Sequence, residues 1–140
     1  MRVAFDTSVL VAAVKSRRGA SFALVQSIPN PRFEVALSVA LYAEWQAVLT
    51  RPEHLPMGQT PEQALAFLRY LAGQCHLQEI FYLWRPYLKD ADDDMVLELA
   101  VAARCSHILT HNLKDFRGAD LFGIVAITPG DFYRLIQSSS

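Results

Sequence analysis

The chain is organised around the stretch from Asp90 to Phe116, which reads D-A-D-D-D-M-V-L-E-L-A-V-A-A-R-C-S-H-I-L-T-H-N-L-K-D-F. It opens with four carboxylates in five residues and continues into an almost wholly apolar segment, 95–103. We predict that this segment is a buried helix, followed by a short strand over 106–110 and a polar loop at the end of that strand. An acidic cluster that enters a buried helix is hard to explain by folding alone.

The number of acids in this cluster exceeds what a helix start needs. A carboxylate near a helix N-terminus stabilises the helix by about 0.3–1 kcal/mol. Several carboxylates packed together repel one another, so at least one of them needs a counter-ion. We therefore interpret Asp90–Asp94 as part of a metal-binding acidic site, with a plain helix cap as the simpler alternative.

The composition of the chain sets broad bounds on its class. Its 140 residues are 52% hydrophobic and 19% charged, which suits one domain with a large core. No apolar run reaches the roughly 18 residues that span a membrane, and Cys75 and Cys105 are isolated, so we expect a reduced, cytoplasmic protein without a membrane partner. The net charge of -1 argues against a general nucleic-acid coat, although a local basic rim is compatible with it.

The rest of the chain alternates between strand-like and helix-like segments. The predicted strands are 2–5, 33–37 and 123–127, with 76–83 strand-like or irregular. The predicted helices begin near Val9 and Ala20, after the caps Ser38 and Thr60, and at Thr128-Pro129. This alternation predicts a three-layer α/β/α fold with a mostly parallel central sheet of four to five strands, as a single domain over residues 1–140.

Acidic residues fall where strands end or helices begin. Asp6 follows the first strand, Glu44 lies early in a helix, and Asp115 follows the strand after the acidic cluster. Taken singly, Asp6 is equally well explained as a helix cap, and Glu44 as an exposed residue or a partner of Arg51. Together they would meet at one edge of a parallel sheet. Oxygen ligands of this kind suit Mg²⁺ or Mn²⁺, which activate water and stabilise the charge on a phosphodiester.

Four sequence blocks then resemble the PIN-domain ribonucleases, most closely the subgroup described as toxins of toxin–antitoxin pairs (VapC-like). The blocks are V-A-F-D-T-S-V-L, S-V-A-L-Y-A-E-W-Q-A-V-L-T-R-P, D-A-D-D-D-M-V-L-E-L-A and I-L-T-H-N-L-K-D-F. Each block alone is a weak signal, but the four occur in the family's order and approximate spacing along the whole chain. The resemblance implies a parallel sheet flanked by helices and Mg²⁺- or Mn²⁺-dependent cleavage of RNA.

The resemblance also implies a set of site residues. The metal-binding and catalytic acids would be Asp6, Glu44, Asp94 and Asp115, and the pocket would be shaped by Thr7, Ser8, Thr110 and Asn112. Consecutive residues of a helix lie about 100° apart, so Asp92, Asp93 and Asp94 cannot all point into one site. We favour Asp94, which shares a face with Leu97 and Val101, and we expect Asp92 to cap the helix and Asp93 to be a supporting or surface acid.

Other functions and partners follow from the same residues. A cognate antitoxin could insert an Arg or Lys into the acidic pocket, and a homodimer is compatible with the apolar composition. The main alternative is a non-catalytic PIN-like module that binds RNA or protein. A receiver domain or a phosphatase fits poorly, because Asp6 is followed by Thr7-Ser8 rather than by a second acid in Asp-x-Asp. The chain also has no GxGxxG or P-loop motif for a nucleotide.

Overall fold

The computed structural model describes residues 1–80, 88 and 90–138. In these ranges the strands are β1 (Arg2–Phe5), β2 (Glu34–Leu37), β3 (His76–Leu77), β4 (His107–Leu109) and β5 (Val125–Ile127). The α-helices are α1 (Thr7–Lys15), α2 (Ala20–Gln26), α3 (Val39–Leu49), α4 (Pro61–Gly73), α5 (Ala91–Ala102) and α6 (Pro129–Ser138). Three 3₁₀ turns lie at Pro52–His54, Leu113–Phe116 and Ala119–Phe122. Residues 81–83 of the predicted segment 76–83 lie outside the described residues.

The five strands form one parallel sheet in the order β3-β2-β1-β4-β5. The predicted α/β fold with a parallel sheet of four to five strands is confirmed. The chain builds the sheet from β1 towards β3 and then returns to place β4 on the other side of β1. The junction between β1 and β4 is therefore the topological switch point, where open α/β sheets leave a crevice at the carboxyl ends of the strands.

Burial of the central strand on both faces explains its apolar sequence. Val3, Ala4 and Phe5 of β1 have no exposed surface, as expected for a parallel sheet that is covered on both sides. Helix α5 contacts β1, β2 and β4, which accounts for its nearly continuous apolar sequence. Trp45 of α3 and Phe132 of α6 complete the core. Cys75 and Cys105 are free thiols, as the sequence predicted.

The helix starts agree with the sequence except at one point. Thr60 accepts a hydrogen bond from the Gln63 amide, and the Gln63 side chain accepts one from the Thr60 amide, so the predicted capping box of α4 is present. Helix α5 is capped by Asp90, whose carboxylate accepts from the Asp92 amide at 2.9 Å. The prediction that Asp92 is the cap was wrong, because the helix begins two residues earlier. Within the described residues, none of the helices is long and apolar enough to span a membrane.

Candidate active site

Asp6 lies at the switch point of the sheet, directly after β1. Its amide donates to the Leu109 carbonyl at 2.9 Å, which extends the β1–β4 ladder by one residue. Its Oδ2 atom accepts hydrogen bonds from the hydroxyls of Ser8 and Thr110, both at 2.8 Å. The carboxylate makes no capping bond to α1. The two readings of Asp6 that the sequence left open are therefore separated: the side chain is held by hydroxyls from both sides of the crevice rather than used as a helix cap.

The segment after β4 supports this arrangement from the other side. Thr110 is fully buried, and its hydroxyl accepts from the Asn112 amide at 2.9 Å. The His111 amide donates to the Ser8 hydroxyl at 3.1 Å. Thus both hydroxyls that hold Asp6 are themselves fixed by backbone amides of residues 111 and 112.

Glu44 projects from the second turn of α3 towards the start of α1. Its Oε2 atom accepts a hydrogen bond from the Thr7 hydroxyl at 2.5 Å, and the side chain is half-buried. Since Thr7 follows Asp6 directly, this bond brings the second predicted acid to the same crevice. Thr7 and Ser8 thus shape the pocket in different ways, Thr7 through Glu44 and Ser8 through Asp6.

The three acids in the first turn of α5 lie in three different environments. Asp92 is exposed, Asp93 is half-buried, and Asp94 has no exposed surface. Asp94 Oδ1 accepts from the Leu88 amide at 2.6 Å, which ties the helix start to the chain before it. Asp94 shares the buried side of α5 with Leu97, as predicted from the sequence, but this side is the core. Asp94 is therefore buried where α5 packs into the core, and its predicted role as a metal ligand stays a prediction.

The pKa values of two half-buried acids, Asp93 and Glu44, are raised by burial and by nearby negative charges. Burial, and after it the negative charges of Asp6, Asp115, Asp90 and Asp92, together raise the pKa of Asp93 to about 7. Burial also raises the pKa of Glu44, whereas the hydrogen bond from Thr7 lowers it. The charges of Asp92 and Asp6 and a hydrogen bond with Asp92 raise it further. Asp93 therefore lies within electrostatic reach of Asp6 and Asp115, and Asp92 lies within hydrogen-bonding reach of Glu44.

Asp115 reaches the pocket from the 3₁₀ turn that follows β4. It is exposed, and its amide donates to the Asn112 carbonyl at 3.0 Å. Its charge acts on Asp93, so the fourth predicted acid lies at the same edge of the sheet as the others. Asn112, which the resemblance places among the residues that shape the pocket, is exposed at the start of the same turn.

The pocket matches a hard divalent cation in charge and atom type. Its carboxylate oxygens come from Asp6, Glu44, Asp92, Asp93 and Asp115, and their repulsion would be relieved by a bound cation. The match in geometry is incomplete. Among the described residues, no group of three His, Cys, Asp or Glu side chains is placed so that it could hold a metal ion.

Comparisons with known proteins place the chain in a family. Residues 2–114 match the PIN domain, and the chain belongs to the PIN domain family. Its structure is similar to a chain in the crystal structure of VapBC2 from Rickettsia felis bound to a DNA fragment from their promoter. The TM-score is 0.62, the sequence identity is 14%, and the match covers 91% of this chain and 98% of that chain. No curated protein matches the sequence.

Proposed function

We propose that this protein is a metal-dependent endoribonuclease and the toxin of a toxin–antitoxin pair. The observation that carries the proposal is the convergence of Asp6, Glu44, Asp93 and Asp115 at the switch point, where burial and then the charges of acidic neighbours raise the pKa values of Glu44 and Asp93. Folding does not require this repulsion, and a Mg²⁺ or Mn²⁺ ion would relieve it. We also propose that residues 1–140 are one PIN-like domain that works in the cytoplasm.

The residues of the chain divide the work of such a site. Asp6 is fixed by two hydroxyls and Glu44 by one, so these two carboxylates are oriented before any ion arrives. We assign the third position to Asp93 in place of Asp94, because the charges of Asp6 and Asp115 act on Asp93 while Asp94 binds the Leu88 amide. When bound, the ion would supply a water of lowered pKa and stabilise the charge that builds up on the phosphodiester.

An RNA substrate is supported by charges beside the acids. Lys114 and Arg117 are exposed on either side of Asp115. Lys15 at the end of α1 and Arg17 and Arg18 in the turn that follows are exposed as well. Arginine and lysine contacts to phosphates position a nucleic acid without reading its sequence. A metal-free acidic pocket would repel phosphate, so we expect the ion to bind before RNA.

An antitoxin partner is supported by the similarity to VapBC2 from Rickettsia felis, a complex solved on a fragment of promoter DNA. The acidic pocket gives such a partner a chemical means of inhibition. An Arg or Lys side chain placed among the carboxylates would satisfy their charge in place of a metal ion. A homodimer is a further proposal that follows from the same resemblance.

Cleavage of a mixed RNA pool tests the proposed function directly. The purified chain should cut RNA with Mn²⁺ or Mg²⁺ and should be silent in EDTA, and Asp6→Asn should remove the activity. Glu34→Gln is the matched control, because Glu34 lies at the amino end of β2, on the opposite edge of the sheet, and pairs with Arg2 on the surface. This control should cut at the wild-type rate.

Two results would contradict the proposal. RNA binding with no cleavage under any divalent ion would favour the alternative, a non-catalytic PIN-like binding module. Equal cleavage of single-stranded DNA of the same sequence would show that the substrate is not specifically RNA.

A further inference from the structure

His111 connects the acidic pocket to helix α2, an element that supplies none of the proposed metal ligands. Its ring Nε2 lies 3.0 Å from the hydroxyl oxygen of Ser21, which is only 3% exposed. Its backbone amide donates to the Ser8 hydroxyl, which in turn donates to Asp6 Oδ2. One residue therefore bonds through its ring to α2 and through its backbone to the hydroxyl that holds a pocket carboxylate.

We propose that the Ser21–His111 hydrogen bond is a positioning contact that fixes the orientation of the Asp6 carboxylate for metal binding. This inference rests on the proposed function. The segment Thr110–Asn112 carries three of the four groups that hold Asp6 or its supporting hydroxyls: the Thr110 hydroxyl, the His111 amide and the Asn112 amide.

The geometry indicates why this segment needs an outside anchor. Residues 111–115 are exposed and follow a strand of only three residues. The Thr110 side is secured by burial and by the bond from its amide to the Ile127 carbonyl at 3.0 Å. The His111 side is exposed, and its ring reaches a buried hydroxyl on a packed helix. Loss of this anchor would let the His111 amide leave Ser8, and the Ser8 hydroxyl would then be free to rotate away from Asp6.

The variants Ser21→Ala and His111→Ala each remove one half of the contact. Outer partners of metal ligands typically contribute about 10–100-fold to metal affinity, and this contact acts one bond further out. We expect Mn²⁺ affinity, measured by calorimetry, to fall roughly 3–10-fold in each variant. The double variant should fall no further, because both changes break the same bond. His111→Gln, whose amide can reach the Ser21 hydroxyl, should restore most of the affinity.

Two control variants lose a comparable hydrogen bond elsewhere. Ser27→Ala removes the hydroxyl that donates to the Leu24 carbonyl at the other end of α2. His76→Ala removes a ring on β3 that forms a hydrogen bond with Gln78, the residue after the strand. Both controls should bind Mn²⁺ like the wild type, even where their melting temperatures fall as far as that of Ser21→Ala. A decrease of Mn²⁺ affinity that follows melting temperature across all four single variants would overturn the positioning role.

Amide hydrogen exchange in the metal-free protein separates this inference from the proposed function. Exchange of the His111 amide should be faster in Ser21→Ala than in the wild type and unchanged in Ser27→Ala. Faster exchange with unaltered Mn²⁺ affinity would overturn the positioning role, as would unaltered exchange. A wild-type chain that binds no Mn²⁺ would instead refute the proposed function, and the positioning role with it, whatever the exchange data show about the contact.

Discussion

Helices α4 and α5 both begin with a side-chain cap but carry very different charges behind it. Thr60 and Gln63 close a capping box on α4, whose first turn has a single acid, the exposed Glu62. Asp90 caps α5, and three further acids follow in its first turn, Asp92–Asp94. One side chain is enough to cap a helix. The acids that follow Asp90 therefore need another explanation.

The two sides of the α5 start provide that explanation. Asp94 points to the buried side and binds the Leu88 amide, so it contributes to folding. Asp92 and Asp93 lie near the other acids, and burial followed by the charges of these neighbours raises the pKa values of Glu44 and Asp93. Within the five positions Asp90–Asp94, the acids therefore include a helix cap, a buried structural carboxylate and part of the charged pocket.

Neutralising one acid in the first turn of each helix should give the largest difference between α4 and α5 in the rate of RNA cleavage. We expect Asp93→Asn to lower metal-dependent RNA cleavage by more than the roughly 10–100-fold typical of an outer partner of a metal ligand, because a direct ligand is lost. Glu62→Gln should cleave at the wild-type rate. Initial rates at saturating Mn²⁺ and at limiting Mn²⁺ provide the measurement. Equal rates for Asp93→Asn and Glu62→Gln would mean that the two helix starts do not differ in function.

Removing the Asp94 carboxylate from the buried side of α5 should lower the stability of the protein. Asp94→Ala leaves the Leu88 amide without its carboxylate, and hydrogen bonds to charged groups contribute about 1.5–3 kcal/mol. We expect the free energy of unfolding in urea to decrease by about 2 kcal/mol. Asp94→Asn keeps an acceptor oxygen and should lose less than Asp94→Ala. An unchanged free energy of unfolding in Asp94→Ala would contradict a structural role for this carboxylate.

Thr60 and Asp90 should contribute to the stability of their helices in similar ways, through the oxygen that caps the first turn. Thr60→Ala breaks the capping box and should decrease the free energy of unfolding by about 1 kcal/mol, with no effect on Mn²⁺ affinity. Asp90→Ser keeps a capping oxygen and removes one negative charge near Asp93, so its stability should stay within about 0.5 kcal/mol of the wild type. A loss well beyond this in Asp90→Ser would show that the Asp90 charge itself stabilises the fold.

The smallest effect should be in the pH dependence of the metal-free protein. The pKa of Asp93 is raised from 3.8 to about 7 in the folded state, so the folded chain holds a proton that the unfolded chain releases. The stability from this group is present below pH 3.8 and is lost as pH rises through about 7. Asp93 is partly exposed, so solvent screening keeps the effect small. Urea titrations at pH 4.5 and 7.5 should show a smaller decrease in Asp93→Asn than in the wild type.

Much of the fold could be predicted because its signals are local. Thr60-Pro61 with Gln63 marks the start of α4, and the apolar run after the acids predicts that α5 is buried. Alternation of these segments predicted a parallel sheet. The boundary errors have a local cause as well: Asp92 was taken for the cap because three consecutive Asp residues offer equivalent oxygens, and only the backbone conformation at Asp90 identifies the helix start.

The sequence could predict that the acids of the pocket lie near one another, whereas the role of each one stays a proposal. Asp6, Glu44 and Asp115 could be found because strand ends and helix starts meet at one edge of a parallel sheet. The choice among Asp92, Asp93 and Asp94 depends on how α5 is rotated, which is fixed by packing against three strands. Ser21 gave no sequence signal at all, since a single serine in a helix is ordinary and its contact with His111 spans 90 residues.

The most direct test of the central claim is Mn²⁺ binding by Asp93→Asn and Asp94→Asn, measured by calorimetry beside the wild type on folded protein. The two variants remove the same charge from adjacent positions and differ only in the side of α5 that they change. Our account predicts that Asp94→Asn binds Mn²⁺ nearly as well as the wild type, while Asp93→Asn shows little or no binding. Binding retained in Asp93→Asn and lost in a folded Asp94→Asn would contradict it.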